Sequence, residues 1–428
     1  MTEARNVFPD LVVEEIDLGE YPTLRHDHPH ALTKKIQVTQ GDMHGNPLML
    51  VNFLIRRGVI DTSPEYYQKW KDIYLKFSAY INDACELALA RCKDPSDFLS
   101  FEQLFQELLV KDFDSLRPVL NELDKVLAEI HIIPNKGKIL YLGDLVAERG
   151  PCDYLSFKIL EKLKDARVYH KILISNHDMY LITATELKGY NKYQLVPRSS
   201  MRTNANNIKF VISMYGLQML IDVGVVKKAE VDAIVENIYK PSLQALDYTL
   251  SEDGLTITIY SHALIGLDTI MDIAKDINVV YRDDTPFELA DTINEINREF
   301  SRYVKNKRVN ELFYDGGAFI KLIDNRNPYL ISRPYYYNHY YICFVHGHDP
   351  NIPQEEHVIT LDGMLAKTEK NLVGTCSFLH TPYCPVSQFI WDSSFTMFPV
   401  VQEKDSNEKE MGRQLQELQQ AINRMAFS

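Results

Sequence analysis

Residues 138–150 read Lys-Ile-Leu-Tyr-Leu-Gly-Asp-Leu-Val-Ala-Glu-Arg-Gly, an apolar run that passes directly into glycine, acidic and arginine residues. The run from Lys138 to Leu142 has the length and apolar character of a buried strand. Asp144 then stands just beyond the strand, at the edge where open α/β sheets place ligand-binding side chains. This stretch predicts an α/β fold with a polar site at the carboxyl ends of its strands.

Four other segments repeat this arrangement of an apolar run followed by residues that bind divalent metals. They are Gly-Asp-Met-His-Gly-Asn (41–46), Asn-His-Asp (176–178), Ser-His (261–262) and His-Gly-His (346–348). Each segment alone has an ordinary explanation, such as a polar turn, a helix N-cap or a hydrogen-bonded histidine. Five of them in one chain indicate a two-metal centre, in which ions about 3.5–4 Å apart hold the attacking and leaving oxygens of a phosphoester.

Composition limits the classes of protein that fit. The 428-residue chain is 45% hydrophobic and 25% charged, enough to bury a core in one large domain with an appendage or in two domains. Its formal charge of −13 disfavours nucleic acid as a partner, because such binding relies on lysine and arginine displacing counterions. The six cysteines show no Cys-x-x-Cys spacing, which fits reduced thiols. We expect a soluble, cytosol-type protein without a membrane span, since no secretory signal and no apolar run of about 18 residues is present.

Changes in periodicity divide the chain. Between about residues 63 and 130, apolar residues recur at helical spacing in three runs, which predicts three helices. Residues 411–425 carry two heptads, too few for a secure coiled coil, so we favour a docking helix there over an oligomer. The predicted parts are an N-terminal arm without clear periodicity (1–34), a catalytic domain (35–62 and 133–402), an inserted helical subdomain (63–132) and a C-terminal helix (403–428).

Strands and helices alternate around the motifs in a βαβ rhythm. Parallel strands of an open α/β sheet end at one edge, so these strands would bring the polar residues together. The predicted strands cover 34–38, 138–142, 168–174, 256–260, 341–345 and 357–362, with a helix at 153–164.

The ordered set Asp-x-His-Gly, Gly-Asp followed by Arg-Gly, Asn-His-Asp, His and Gly-His resembles the calcineurin-like metallophosphoesterases, specifically their phosphoprotein phosphatase branch. The resemblance covers about residues 35–60 and 135–365. It implies a metallophosphoesterase β-sandwich flanked by helices. It also implies two divalent metal ions, with Mn²⁺ favoured over Fe²⁺ or Zn²⁺, and hydrolysis of phosphomonoesters on proteins.

The resemblance implies a role for each motif residue at its matching position. His177 would protonate the departing oxygen, and Arg149 would hold phosphate oxygens. The short segment Ile331-Ser-Arg-Pro-Tyr resembles the one that supplies a second phosphate-binding arginine, here Arg333. The implied ligands of one ion are Asp42, His44 and the bridging Asp144, and those of the other are Asp144, Asn176, His262 and His348.

Three departures from the family pattern bear on these expectations. The second motif is one residue longer than Gly-Asp-x-x-Asp-Arg-Gly, and Glu148 stands where an aspartate orients the acid histidine. Ser175 replaces the glycine that precedes Asn-His-Asp. Asp42 and Asp144 lie 102 positions apart, where the family needs only one helix between them. We interpret 63–132 as an insertion that serves as a lid, docking arm or partner site, or that simply packs on the flank of the domain.

The insertion and the altered second motif resemble a narrower group, the WipA-like effector phosphatases that intracellular bacteria inject into host cells. This resemblance implies delivery into the host cytoplasm by a bacterial secretion system, and phosphotyrosine as substrate. Chemistry favours the same substrate, because a phenol leaves with a pKa of about 10 and needs less help from an acid than a serine alcohol does. The aromatic run 335–341 offers walls for a phenyl ring or forms sheet core.

Three other functions stay open at this point. A Ser/Thr protein phosphatase and a dinucleoside polyphosphate hydrolase would use the same metal chemistry. A scaffold that keeps the fold and acts through its helices is a third, which the complete ligand set disfavours.

Overall fold

The strands that carry the motifs lie in two β-sheets. The computed structural model describes residues 9–22, 36–92, 98–111, 113–134, 137–150, 152–186, 212–313, 317–325, 333–349, 355–363, 365 and 372–382. The C-terminal helix predicted at 403–428 lies outside them. The strands are β1 Asp10–Asp17, β2 Ile36–Gln40, β3 Ile60–Asp61, β4 His131–Ile132, β5 Lys138–Tyr141, β6 His170–Leu173, β7 Leu243–Gln244, β8 Asp247–Leu250, β9 Thr256–Ser261, β10 Tyr336–Tyr337, β11 Tyr340–His346, β12 Val358–Thr360 and β13 Val373–Pro382.

The order of the strands places the motif ends at the edges of the two sheets. One sheet has the order β1-β13-β2-β5-β6-β7, and the other has β10-β11-β9-β8 with β12 paired to β11. In the first sheet β2, β5, β6 and β7 are parallel. In the second, β9, β11 and β12 are parallel. These strands overlap the six that the sequence predicts, and the carboxyl ends of each parallel set meet at one edge.

A buried apolar cluster joins the two sheets behind these ends. Its side chains come from β5, β6 and β13 of one sheet and from β9, β11 and β12 of the other, and from residues just after them. The Tyr260 hydroxyl also lies 2.8 Å from the Thr381 hydroxyl, which links β9 to β13. Burying each large apolar side chain contributes about 1.5–3 kcal/mol, so the cluster holds the strand ends in a fixed relation. Its members are Leu140, Leu142, Leu173, Tyr260, Cys343, Val345, Ile359, Leu361 and Leu379.

Helices surround the sheets. The N-cap residue Asn46 accepts the backbone N–H groups of Leu48 and Met49 at 2.9 and 3.1 Å, so the first helix starts directly after the first motif and fixes its turn. In the described residues no helix is both long and apolar enough to cross a bilayer. The helices are α1 Pro47–Arg56, α2 Pro64–Arg91, α3 Phe98–Lys111, α4 Arg117–Ala128, α5 Asp153–Asp165, α6 Asn176–Glu186, α7 Ile212–Asp222, α8 Lys228–Ile234, α9 Lys240–Ser242, α10 Leu267–Asp276, α11 Pro286–Lys305 and α12 Ala318–Ile323.

Helices α2, α3 and α4 occupy the three helical runs of the stretch 63–132. The Trp70 indole on α2 donates to the carbonyl of Pro47 at 3.4 Å, next to the first motif. On α3, the Phe105 ring lies 5.5 Å from the Tyr215 ring of α7. The apolar faces of these helices belong to the main core of the protein. The stretch 63–132 is therefore packed against the part of the protein that carries the motifs.

Residues 10–17 differ from the loosely packed arm expected for 1–34. They form β1, which pairs antiparallel with β13 along its whole length. Glu14 on this strand forms an ion pair with the buried Arg57 at 3.0 Å. Ile16 is buried while Leu11 and Val13 face solvent. Charged residues among apolar ones are typical of an exposed edge strand, and this signal explains the difference.

Candidate metal centre

Six parallel strands from the two sheets end at one buried cluster of polar side chains. β2, β5 and β6 of the first sheet lead into Asp42, Asp144 and Asn176. β9 and β11 of the second sheet lead into His262 and His348. The sixth strand, β12, leads into Asp362, which is absent from the predicted set.

Two glycines allow the strand ends to approach each other. A Cβ atom at Gly41 would lie 2.0 Å from the carbonyl oxygen of Leu361, so only glycine fits where the two sheets meet. A Cβ atom at Gly347 would lie 2.0 Å from Asp42 Oδ1. Both positions need glycine, because the Leu361 backbone at Gly41 and the Asp42 side chain at Gly347 already fill the space that a Cβ atom would take.

The predicted ligands lie within reach of one another. Asp42 Oδ2 accepts the backbone N–H of His348 at 2.9 Å. His262 Nε2 lies 3.0 Å from Asn176 Oδ1 and 3.7 Å from Asp144 Oδ1. The His262 and His348 rings are 4.9 Å apart. The structure thus gathers residues that are scattered over more than 300 positions of the sequence.

Three sets of side chains bring possible metal-binding atoms within 4.8 Å of one another in the described residues. They share members, which is the arrangement expected when adjacent ions share ligands. Asp42, His44 and Asp144 each belong to two sets, so the bridging role of Asp144 stays a prediction. The sets are Asp42, Asp144 and His262; Asp42, His44 and Asp362; and His44, Asp144 and Glu148.

Buried carboxylate oxygens in this cluster fit a divalent cation. Asp42 Oδ1 and Asp144 Oδ1 are inaccessible to solvent and have no hydrogen-bond partner among the described residues. A buried polar atom without a partner costs about 1–3 kcal/mol, and more when it is charged, which a bound cation would offset. The donors are carboxylate, amide and imidazole groups, a set that suits Mn²⁺, Fe²⁺ and Zn²⁺.

The electrostatics of the cluster show how closely its acids are packed. Burial raises the pKa of the Asp42 carboxyl far above its usual range, and the charges of Asp362 and Asp144 raise it further. Burial also favours the neutral form of Asp144, but the surrounding histidines outweigh it and lower the pKa of that carboxyl. Burial lowers the pKa of His262 to about 4, which keeps its imidazole in the neutral form that binds metals.

Four residues of the cluster have left-handed backbone conformations. The φ angles are 52° at His44, 51° at Asp144, 59° at Ala147 and 66° at His348. Such conformations are uncommon outside glycine and are concentrated at functional sites, where the surrounding structure holds them. Here they turn the side chains into the space between the sheets.

Glu148 does not make the hydrogen bond expected from the family pattern. Its Oε1 lies 3.9 Å from His177 Nε2, too far for a hydrogen bond. Its Oε2 instead lies 3.0 Å from His44 Nδ1, and its Oε1 accepts from Arg149 at 2.6 Å. Glu148 therefore holds His44 and Arg149 in place.

His177 is oriented by the backbone of the lengthened motif. Its Nδ1 donates to the carbonyl of Ala147 at 2.9 Å, which leaves Nε2 to carry a transferable proton. Asp153, at the start of α5, accepts the N–H of Ala147 at 2.9 Å. Ala147 is thus fixed from both sides, and this accommodates the extra residue of the motif.

The Asp153 carboxyl gives a testable pH dependence of stability. Burial raises its pKa from 3.8 to about 7, so the folded state binds this proton more tightly than the unfolded chain. This stabilisation is complete below about pH 4 and is lost as the pH rises through about 7. We expect Asp153→Asn, which is neutral at every pH, to match the wild type at about pH 4 and to melt roughly 3–6 °C higher at pH 8. Thermal unfolding in EDTA measures the difference, and an equal difference at both pH values would contradict the assignment.

The two predicted phosphate-binding arginines have different surroundings. The side chain of Arg149 is 26% exposed and is held by Glu148. The side chain of Arg333 is 12% exposed, with its guanidinium 3.5 Å from Glu355. Burial lowers the pKa of His346, the last residue of β11, to about 4, and the charges of His348 and Arg333 lower it further.

Comparison with known proteins gives the family of the chain. The family profile described as WipA-like, phosphatase domain, matches residues 138–367, more than half of the sequence. Among solved structures, the phosphatase domain from the Legionella effector WipB is similar, with a TM-score of 0.57 and 28% sequence identity over 74% of this chain and 100% of that one. No curated protein matches the sequence. The chain belongs to the WipA-like phosphatase family and is a phosphatase.

Proposed function

We propose that this phosphatase is a metal-dependent protein phosphatase with the two-sheet architecture of a metallophosphoesterase. The buried cluster between the sheets supports the sandwich arrangement, since it takes side chains from both. The observation that carries the metal dependence is the pair of buried, unpartnered carboxylate oxygens on Asp42 and Asp144. A pair of Mn²⁺, Fe²⁺ or Zn²⁺ ions would neutralise phosphoryl charge there and lower the pKa of water to supply a nucleophile.

The ligands we assign follow the geometry of the cluster. We assign Asp42 and His44 to one ion, and Asn176, His262 and His348 to the other, with Asp144 shared. His262 Nε2 lies 3.0 Å from Asn176 Oδ1 and 3.7 Å from Asp144 Oδ1, which supports this second group. His348 Nε2 is 3.0 Å from Asp324 Oδ1, a carboxylate that fixes the orientation of the imidazole. The proposed ligands are Asp42, His44, Asp144, Asn176, His262 and His348.

The remaining side chains would bind the phosphoryl group and move a proton. Arg149 offers a planar fork that matches two phosphate oxygens, and Glu148 limits its movement at 2.6 Å. Arg333 is the second candidate for phosphate binding. His177 would donate its Nε2 proton to the leaving oxygen while Ala147 holds its Nδ1.

The position of His177 supports phosphotyrosine as the favoured substrate. At 3.9 Å, Glu148 is too far from His177 Nε2 for the hydrogen bond that would orient the acid. Less effective acid catalysis slows the departure of an alkoxide more than that of a phenolate, whose conjugate acid has a pKa of about 10. The phosphoprotein would thus be hydrolysed fastest at tyrosine.

The aromatic run 335–341 contributes little to this preference. Tyr336 pairs with Tyr341 at the amino end of β11, whereas His346 stands at its carboxyl end. Five residues of strand span roughly 16 Å, too far for these rings to contact the phenyl group of a phosphotyrosine held at the metals. The Tyr180 ring, 5.8 Å from the His177 ring, is the aromatic side chain better placed for that contact.

A phosphopeptide panel tests the substrate. We expect the protein with Mn²⁺ to hydrolyse a phosphotyrosine peptide at least about tenfold faster in kcat/KM than the same peptide with phosphoserine, and both faster than diadenosine tetraphosphate. EDTA should stop all turnover. Faster hydrolysis of phosphoserine would support a Ser/Thr phosphatase, and faster hydrolysis of the dinucleotide a polyphosphate hydrolase. Inactivity on every substrate despite bound metal would support a scaffold.

The similarity to WipB supports a proposal for where the protein acts. WipB is an effector of Legionella, and we propose that this chain likewise acts in a host cell after delivery by a bacterial secretion system. We assign 63–132 to an inserted subdomain that offers a surface for a protein partner. Two large apolar side chains among its described residues remain exposed, Leu87 and Val110.

A further inference from the structure

Asp362 occupies a position at the metal centre that the family motifs do not include. It follows β12, which pairs in parallel with β11, so it stands beside the His-Gly-His turn. The N–H of Leu361 donates to the carbonyl of His346 at 2.8 Å and fixes this register. On the other side, the carbonyl of Leu361 abuts Gly41, so Asp362 also faces the first motif.

The Asp362 side chain is fully buried against predicted ligands. Its Oδ1 lies 3.6 Å from His44 Nε2, and its side chain is 0% exposed. A ligand atom of Asp362 lies within 4.8 Å of ligand atoms of both Asp42 and His44. One divalent ion can span three groups at this spacing, since metal–ligand bonds of about 2 Å place ligand atoms about 3–4 Å apart.

Charge also points to a cation at this position. Asp42, Asp144, Glu148 and Asp362 are four buried acids in one cluster. Taking several carboxylates out of water together is unfavourable unless cations or protons compensate them. Arg149 compensates Glu148, so the carboxylates of Asp42, Asp144 and Asp362 remain for divalent ions to balance, whereas Asp42 and Asp144 alone balance one ion.

We propose that Asp362 is a direct ligand of the ion that Asp42 and His44 hold, an inference that rests on the proposed metal dependence. The ion near the first motif would then have a carboxylate-rich shell of Asp42, Asp362, Asp144 and His44. The other ion would be held more by imidazole. Carboxylate ligands favour Mn²⁺ and Mg²⁺, while imidazole suits Zn²⁺, so the two positions differ in ion preference.

A structural role for Asp362 predicts a different outcome from a ligand role. If Asp362 only orients His44, its removal should lower the stability of the metal-free protein. The affinity for the ion near His44 should then fall only slightly. If it is a ligand, Asp362→Asn removes a like charge from the apo cluster, which should stabilise the apo protein. The same change should strongly lower the affinity of the protein for one of the two ions.

Calorimetric titration with Mn²⁺ and thermal unfolding with and without EDTA separate these roles. For Asp362→Asn we expect one of two Mn²⁺ sites to weaken by about 100-fold, a higher melting temperature in EDTA and a smaller rise on adding Mn²⁺. The control is Asp247→Asn on β8, whose buried carboxylate pairs with Lys138. It should lower the melting temperature equally in both conditions and leave Mn²⁺ affinity unchanged.

The outcomes distinguish this inference from the proposed function. Two unchanged Mn²⁺ sites in Asp362→Asn, or a less stable apo variant, would overturn the ligand role of Asp362 alone. A wild-type protein that binds no Mn²⁺ would overturn the proposed metal dependence together with it. A second variant, Asp362→Glu, should retain two sites if the longer carboxylate reaches the ion, which a mere loss of packing would not produce.

Discussion

Asp144→Ala is expected to lose bound metal and turnover together. Asp144 belongs to two of the three possible metal-binding sets, and its buried Oδ1 accepts no hydrogen bond from the described residues. Removing a shared carboxylate should release at least one ion. The transition state would then lose several kcal/mol of charge stabilisation. Since each 1.36 kcal/mol is a factor of ten, kcat/KM should fall by about 10³-fold or more. Metal analysis after gel filtration and assay on a phosphotyrosine peptide give the two readouts.

The matched control again replaces Asp247, which lies on β8 outside the metal-binding sets. Asp247→Ala should keep both ions and its kcat, although the loss of its contact with Lys138 lowers stability. If Asp144→Ala retained two ions, Asp144 would not be the bridge. Retained activity with lost metal would contradict metal dependence itself.

His177→Ala is expected to lose turnover but not metal. His177 belongs to none of the metal-binding sets in the described residues, and its Nδ1 is used by the Ala147 carbonyl. Loss of a general acid lowers kcat by about 10²–10⁴-fold. The loss should be greater on phosphoserine than on phosphotyrosine, because the phenolate leaves with less need of a proton.

His170→Asn provides the matched histidine control. His170 is a buried histidine on β6, the strand that leads to His177, and burial lowers its pKa to about 4. It stands at the opposite end of that strand, where its Nδ1 bonds to the Val168 carbonyl at 3.0 Å. We expect it to change stability but not kcat. Equal losses on both phosphopeptides in His177→Ala would argue against its role as the acid.

Much of the candidate site could be predicted because strand ends are readable in sequence. The apolar runs before Asp42, Asp144 and Asn176 are short and sharply bounded, and they form β2, β5 and β6. Parallel pairing then brings residues far apart in the chain to one edge. The resemblance supplied the roles, which stay predictions. The structure brings Asp42, Asp144, Asn176, His262 and His348 into one cluster.

The geometry of the lengthened second motif could not be predicted. Sequence comparison puts Glu148 in the place of the acid-orienting aspartate, but the turn depends on a positive φ at Ala147. Nothing local in the sequence favours that conformation for alanine. It is imposed by Asp153, which accepts the Ala147 N–H, and as a result Glu148 faces His44.

Asp362 was missed although a signal was present. The run 357–362 was predicted as a strand, and its last residue is an aspartate followed by glycine. This is the same order of strand, acid and glycine that marks the other motifs. Without a neighbouring histidine the segment reads as an ordinary strand-end turn, and only the parallel pairing of β12 with β11 places it at the centre.

The helices between residues 212 and 323 were not predicted from the sequence, although one of them has a recognisable N-terminal signal. Thr285 accepts the N–H of Glu288 at 3.1 Å, and Pro286 occupies the first position of α11. A threonine followed three residues later by glutamate is a capping box, which marks a helix start. The motif strands could be predicted without it, so its omission left the site prediction unchanged.

Anomalous diffraction at the manganese edge, from crystals grown with Mn²⁺, tests the central claim most directly. We expect two peaks about 3.5–4 Å apart, with Asp144 between them and His262 beside one of them. The peak nearer His44 should also lie within bonding distance of Asp362. No peak at this cluster, or manganese bound elsewhere on the protein, would contradict the two-metal centre.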